Sequence, residues 1–252
     1  MNIGIIGAGN MARALARGWS RPLFCADPLS TRAQQLAQIT GGQALSNNAE
    51  VAAASDLVVL CHKPAQLTQV AAEIKDQAKA IVSILAATPL LDVKAAYPDK
   101  PVYRMLPSLP VEVRQGAVVQ ALDEDQNDSL DESVRELFGE LGTLVVMEDR
   151  LIDVAMGLMS CAPAYVALIA EAQIDAGVRQ GIPAEQGAQL VIATLAGTAE
   201  LLRSREYDTL AVRREVSSPG GLTARGVQAL ERGGVRVAFS DALDAVLGDQ
   251  RR

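Results

Sequence analysis

Histidine, lysine, cysteine and aromatic residues are scarce here, and each scarcity excludes a chemistry. The 252 residues contain one histidine, His62, and neither lysine nor histidine from residue 101 onward. Zinc-type ligand spacing is absent, so no metal site is expected. Hydroxy-acid oxidation with a histidine base, and β-hydroxyacid oxidation with a lysine from a helical domain, both lose their proton carriers. Three widely separated cysteines, Cys25, Cys61 and Cys161, make no disulfide framework and fit a reducing cytoplasm. With 3% aromatic residues and a net charge of −7, the chain lacks the stacking platforms and basic footprint of nucleic-acid binding. The longest uncharged stretch in the second half, Val154 to Ala170, contains Pro163 and falls short of the ~20 residues of a membrane span. A buried interface helix is the expectation there, with no membrane partner. The opening MNIGIIGAGNMARALARG leaves no room for a signal-peptide pattern, so a cytoplasmic location is expected.

What is present begins with a strand, a glycine turn and a helix. Ile3, Ile5 and Ile6 form a β-type run, followed at once by Gly7, Gly9 and Ala12. Gly7 permits the tight turn, Gly9 lets backbone approach a pyrophosphate, and Ala12 allows close helix-to-strand packing. The free N–H groups of the following helix then face the phosphates. A second apolar run, Leu23 to Ala26, ends in Asp27, where a Rossmann unit places a carboxylate on the adenosine ribose. Such a carboxylate repels a 2′-phosphate and favours NADH over NADPH, with Arg32 as the counterweight.

The alternation continues with helices at Ser30 to Ile39, Ala49 to Ala54 and Ala65 to Ala78, and strands at Leu57 to Cys61, Ile81 to Leu85 and Val102 to Leu106. Together these predict a doubly wound parallel sheet. His62, Lys63 and Pro64 fall at its carboxyl edge, as a solvated loop or a border of the dinucleotide. Val118 to Ala121 and Leu144 to Met147 read as further strands around an acidic helix from about Asp128 to Leu141. Helical periodicity then takes over, which places a boundary between residues 1–149 and 150–252. Apolar residues on more than one face from Leu151 onward predict an obligate dimer. Within this half, EVSSPGGLTARG interrupts the helical pattern, because Pro219, Gly220 and Gly221 cannot continue a helix.

A C=N bond is the acceptor that fits these absences, since imine nitrogen takes a proton without a strong side-chain acid. Five blocks in register carry a family resemblance: GIIGAGNMARAL, SDLVVLCHKP, RMLPSLPVEVRQGA, LIDVAMGLMSCAPAY and VSSPGGLTARGVQALE. Over essentially its whole length the sequence resembles pyrroline-5-carboxylate reductase, the last enzyme of proline biosynthesis. The resemblance implies an N-terminal Rossmann domain, and a helical dimerisation domain that interlocks with a partner subunit and builds each active site at the interface. It implies a substrate-binding turn of Ser218, Gly220, Gly221, Leu222 and Thr223, with the Thr223 hydroxyl at the ring nitrogen as hydrogen-bond donor or orienter. A cap on the following helix, Ala224 to Glu231, is the alternative role for Thr223. The expected cofactor set is Gly7, Ala8, Gly9, Asn10, Met11, Asp27, Asn48, Cys61, His62, Lys63, Pro64 and Ala86.

Two blocks depart from the family. Met159, Ser160, Cys161 and Ala162 replace Ser-Gly-Ser-Gly, and Leu106, Pro107, Ser108, Leu109 and Pro110 replace Met-Pro-Asn-Thr-Pro. Both changes make the expected surroundings of nicotinamide and substrate bulkier and less polar. They keep open a reductase of another cyclic imine, or a non-catalytic dinucleotide-binding regulator.

Overall fold

The computed structural model describes residues 1–124 and 129–248. Contacts divide the chain into two compact units, Met1–Pro163 and Ala164–Arg252. The first unit runs β1 (Ile3–Ile6), α1 (Asn10–Trp19), β2 (Phe24–Ala26), α2 (Ser30–Thr40), β3 (Gln43–Ala44), α3 (Asn48–Ala54), β4 (Leu57–Leu60) and α4 (Leu67–Ile74). It continues with β5 (Ile81–Ser83), α5 (Leu90–Ala96), β6 (Val102–Pro107), β7 (Gly116–Ala121), α6 (Ser129–Gly139), β8 (Gly142–Met147) and α7 (Ile152–Met159). Strand order is β3-β2-β1-β4-β5-β6-β7-β8, the doubly wound arrangement with its switch point between β1 and β4.

Alternate residues of the central strands enter opposite faces of the sheet. Ile3, Ile5, Leu57 and Val59 pack with Trp19, Leu36 and Phe138. Ile6, Val58 and Leu60 pack with Ile74, Val93 and Tyr97. Burial on both faces is why these strands read as continuous apolar runs.

Several features differ from the sequence expectation. The sheet is not wholly parallel: β7 pairs antiparallel with β6, Leu106 opposite Val119, and β8 then lies parallel to β7. The connection from Pro107 to Gly116 is too short for the crossover of about a dozen residues that parallel pairing demands. The helix expected over Ala65 to Ala78 is instead a 3-10 turn at Pro64–Gln66 and a shorter helix, α4. It closes when the Gln77 N–H tightens onto the Ile74 carbonyl. Strand β3 and helix α5 lie in stretches to which the sequence analysis assigns no element; β3 is two exposed residues, too few to show a pattern. Asp128, the expected start of the acidic helix, lies outside the described residues.

The uncharged stretch Val154 to Ala170 is not one continuous helix. It breaks at Ser160 and Cys161, whose N–H groups both turn back to the Met156 carbonyl, and resumes as α8 (Ala162–Arg179). By length and composition alone Asp149–Arg179 could cross a membrane, and in the single chain only 17% of its most apolar window is buried.

The second unit continues α8 with α9 (Ala184–Ser204), α10 (Thr209–Glu215), α11 (Leu222–Arg232) and α12 (Val235–Leu247). Among its described residues only Ala170, Gly187, Val212 and Leu247 are buried. Leu168, Leu190, Ile192, Leu230 and Val237 are all exposed.

Candidate functional site

A cleft of about 570 Å3 opens along the carboxyl ends of β1, β2, β4, β5 and β6. At one end the chain leaves β1 through Gly7, whose φ of +94° is open to glycine and strained for other residues. A Cβ there would stand 2.8 Å from the Cys61 carbonyl and the His62 nitrogen, so the protein itself demands glycine. Gly9 differs. Its backbone is extended and nothing of the protein lies within 4 Å of where a Cβ would be. The space is open on the side of an approaching ligand. Gly9 caps α1 without a side-chain hydrogen bond, leaving the first N–H groups of that helix free for an anion. Ala12 is fully buried, as close packing of α1 requires.

Asp27 has a second task that spacing did not reveal. One carboxylate oxygen accepts the Ala8 N–H at 2.7 Å and the other accepts the Leu29 N–H at 2.8 Å, so Asp27 clamps the glycine turn to the end of β2. Two oxygens offer about four acceptor sites, which leaves capacity for ribose hydroxyls. Asp27 lines the main cleft, together with Arg32, and also an adjoining cavity of about 200 Å3.

Of the expected cofactor residues, Gly7, Gly9, Met11, Asp27, Cys61, His62, Lys63, Pro64 and Ala86 line the cleft. Asn48 lines the adjoining cavity, its amide donating to Glu73 at 2.6 Å. Ala8 contributes only through its backbone, its side chain being fully buried. Asn10 is exposed at the first position of α1 and does not line either cavity. The His62 ring nitrogen Nδ1 lies 2.8 Å from the Lys63 carbonyl. A carbonyl can only accept, so Nδ1 carries the proton. Burial pushes the His62 pKa below its ordinary value, which favours the neutral ring.

Cleft residues that the sequence reading did not single out include Pro28, Leu29, Gln66, Ile84 and Met156. Met156 carries a findable signal, standing in the LIDVAMGLMSCAPAY block. Ser108, one of the departures from the family pattern, is buried and used internally. Its hydroxyl accepts the Ala117 N–H at 2.9 Å and its own N–H donates to the Ala117 carbonyl, which pins β6 to β7.

In the second unit, Ser218 to Gly221 form a turn in which the Ser218 carbonyl accepts the Gly221 N–H at 3.0 Å and Gly220 has a φ of +71°. Gly221 caps α11, so Leu222 and Thr223 are its first two helical residues. Thr223 is therefore not the helix cap, and the capping alternative for its hydroxyl does not hold. That hydroxyl is exposed and makes no hydrogen bond within the described chain.

A model for pyrroline-5-carboxylate reductase dimerisation matches residues 149–252, and one for NADP oxidoreductase, coenzyme F420-dependent, matches residues 2–87. The pyrroline-5-carboxylate reductase of Synechocystis is 32% identical over 254 residues, covering 97% of this chain and 95% of the relative. The chain belongs to the pyrroline-5-carboxylate reductase family. Its relative from Aquifex aeolicus is 33% identical, covering 97% and 94%. Among solved structures of the family, the Plasmodium falciparum enzyme with NADP bound superposes with a TM-score of 0.87 at 26% identity, over 98% of this chain and 95% of that one. The Streptococcus pyogenes enzyme gives 0.88 at 26%, over 98% and 96%. The family's nicotinamide dinucleotide fits the free α1 N-terminus and the open approach at Gly9.

Proposed function

We propose that this protein reduces 1-pyrroline-5-carboxylate to L-proline with NAD(P)H, the last step of proline biosynthesis. The carrying observation is similarity at about a third identity over nearly the full length of curated pyrroline-5-carboxylate reductases. When bound, the dihydronicotinamide supplies a hydride to the imine carbon. The chain's own residues bind, orient and exclude water. Gly9 and the N-terminus of α1 hold the pyrophosphate, and Asp27 holds the adenosine ribose. At α11 the N–H groups of Leu222, Thr223 and Ala224 lack intrahelical partners and take the substrate carboxylate, helped by the positive end of the helix. The Thr223 hydroxyl orients the ring nitrogen, whose proton comes from solvent.

Thr223→Ala is expected to lower kcat/KM by ~5–30-fold, the loss of one hydrogen bond of about 1–2 kcal/mol, with NADH affinity nearly unchanged. Because Thr223 is not a cap, melting temperature is expected to hold as well. Thr223→Ser is expected to retain turnover. Earlier melting of the alanine variant at parental kcat/KM would remove Thr223 from the mechanism.

We infer a preference for NADH, because both oxygens of Asp27 are fixed at the ribose end of the cleft, where a 2′-phosphate would bring further negative charge. Comparison of kcat/KM for the two cofactors tests this, and a clear NADPH advantage would contradict it. The working unit is a homodimer: helices α8 to α12 bury too few of their own side chains to be stable uncovered. Sedimentation at micromolar concentration is expected to show no active monomer. Dispersed free thiols at Cys25, Cys61 and Cys161 suit a cytoplasmic enzyme.

A further inference from the structure

Arg104 sits in the middle of β6 and is 2% exposed, the one arginine buried in the sheet among the described residues. A guanidinium cannot give up its charge to match an apolar surrounding, so burial at this depth requires paired carboxylates. Both are supplied by one short segment of chain. Nη1 donates to Asp149 Oδ1 at 2.7 Å, and Nη2 donates to Asp153 Oδ1 at 2.8 Å. The second oxygen of Asp149 accepts the Leu90 N–H, at the start of α5, at 3.0 Å. One cation therefore ties together β6, the beginning of α5 and the beginning of α7.

Those three segments supply the same end of the cleft. Leu85 and Ala86 precede α5, Leu106 and Pro107 end β6, and Met156 and Ser160 belong to or follow α7. The opposite end is formed by Gly7, Gly9 and Asp27, and the Asp27 carboxylate is hydrogen-bonded to Ala8 and Leu29 and not to the Arg104 cluster. A dinucleotide lies across the switch point with its adenosine half over β1 and β2, which puts the nicotinamide half over β5 and β6. We propose that Arg104 is a positioning residue for the nicotinamide: through Asp149 and Asp153 it fixes the three segments that form the wall at the reactive end of the cleft. The assignment rests on the dinucleotide reading of the cleft and not on the identity of the imine.

ADP-ribose and NADH separate this role from general support of the fold, because ADP-ribose keeps the adenosine, the pyrophosphate and the second ribose and lacks only the nicotinamide ring. Binding of both is measured by calorimetry below the melting temperature of each variant, together with kcat. In Arg104→Met, NADH is expected to bind at least ten-fold more weakly and kcat to fall at least ten-fold, while the Kd of ADP-ribose stays within two-fold. Arg104→Lys, which keeps one ion pair, is expected to recover part of both losses. Asp153→Asn cuts one arm under a milder load on folding and is expected to weaken NADH three- to ten-fold with ADP-ribose unchanged. If Arg104→Met does not fold, Asp153→Asn decides alone. Parallel weakening of NADH and ADP-ribose in either variant, or parental NADH binding and kcat in a folded Asp153→Asn, would overturn the proposal. Failure of the parent protein to form proline would instead overturn the substrate assignment, and the comparison of the two ligands would still stand.

Discussion

Gly9→Ala is expected to fold almost as well as the parent protein and to bind dinucleotide ~10–100-fold more weakly, a loss of about 1.4–2.8 kcal/mol. The backbone at Gly9 is extended, which any residue adopts, and a methyl group there meets no protein atom within 4 Å. Only the modest preference for glycine over alanine at a helix cap opposes the change, so stability moves by less than about 1 kcal/mol. The methyl instead fills the open space at the start of α1, where the proposed function places the pyrophosphate. Gly7→Ala, two residues earlier, is expected to fail differently. A φ of +94° costs a non-glycine residue about 1–2 kcal/mol, and the backbone contacts at 2.8 Å add an overpacking penalty of about 1–3 kcal/mol. Melting curves and NADH titrations of the two variants side by side check both statements. A Gly9→Ala variant with parental affinity would remove the pyrophosphate from this turn.

Trp19→Ala is expected to show the converse, a large loss of stability with little change in cofactor affinity. Trp19 ends α1, is 2% exposed, and meets Phe138 of α6 edge-on with ring centroids 5.3 Å apart. Its indole N–H donates to the Leu137 carbonyl at 2.9 Å. Truncation leaves a cavity and an unpaired carbonyl, for a cost of about 3–5 kcal/mol and a melting temperature lower by roughly ten degrees. The glycine turn is held from the other end of α1, by Asp27 and by the backbone of Cys61 and His62 just after β4, so NADH affinity below the new melting point is expected to stay within about three-fold. Circular dichroism follows the unfolding, since the variant lacks the only tryptophan of the chain. Unchanged melting would contradict the packing role, and a collapse of NADH affinity in the folded variant would contradict the independence of the turn.

Residues that act through local backbone chemistry were legible in the sequence. Strand, Gly7, Gly9, buried Ala12 and the carboxylate of Asp27 follow one another at spacings that chain geometry imposes, and the cleft forms where they place it. Direction of pairing was not legible, because an apolar run such as GAVVQA looks the same whether its neighbour runs with it or against it; only the short connection from Pro107 to Gly116 carried that information. Strand β3 was invisible for lack of length.

Around the cleft, the sequence pointed to residues but not to their partners. Asp27 was read as a ligand for ribose, and its clamp on the Ala8 N–H depends on two loops meeting in space. Arg104 carried a signal that the sequence analysis leaves unused: a lone arginine in the apolar strand VYRML must find carboxylate partners, and Asp149 and Asp153 stand one helical turn apart. Ser108, read as a lost polar contact to ligand, turned out to be spent on the β6–β7 junction. The turn at Ser218 to Gly221, proposed to hold the substrate, was legible as a helix break, and the helix after it begins one residue before Thr223, which sequence alone left open.

The most direct test of the whole account is incubation of the purified protein with 1-pyrroline-5-carboxylate and NADH, or NADPH, with L-proline quantified by chromatography as cofactor absorbance falls. One L-proline formed for each dinucleotide oxidised, with the reaction abolished by omitting the imine, is the predicted result. Tight binding of NADH without proline formation from either cofactor would contradict the account, and would leave a reductase of a different imine or a dinucleotide-binding regulator on the same fold.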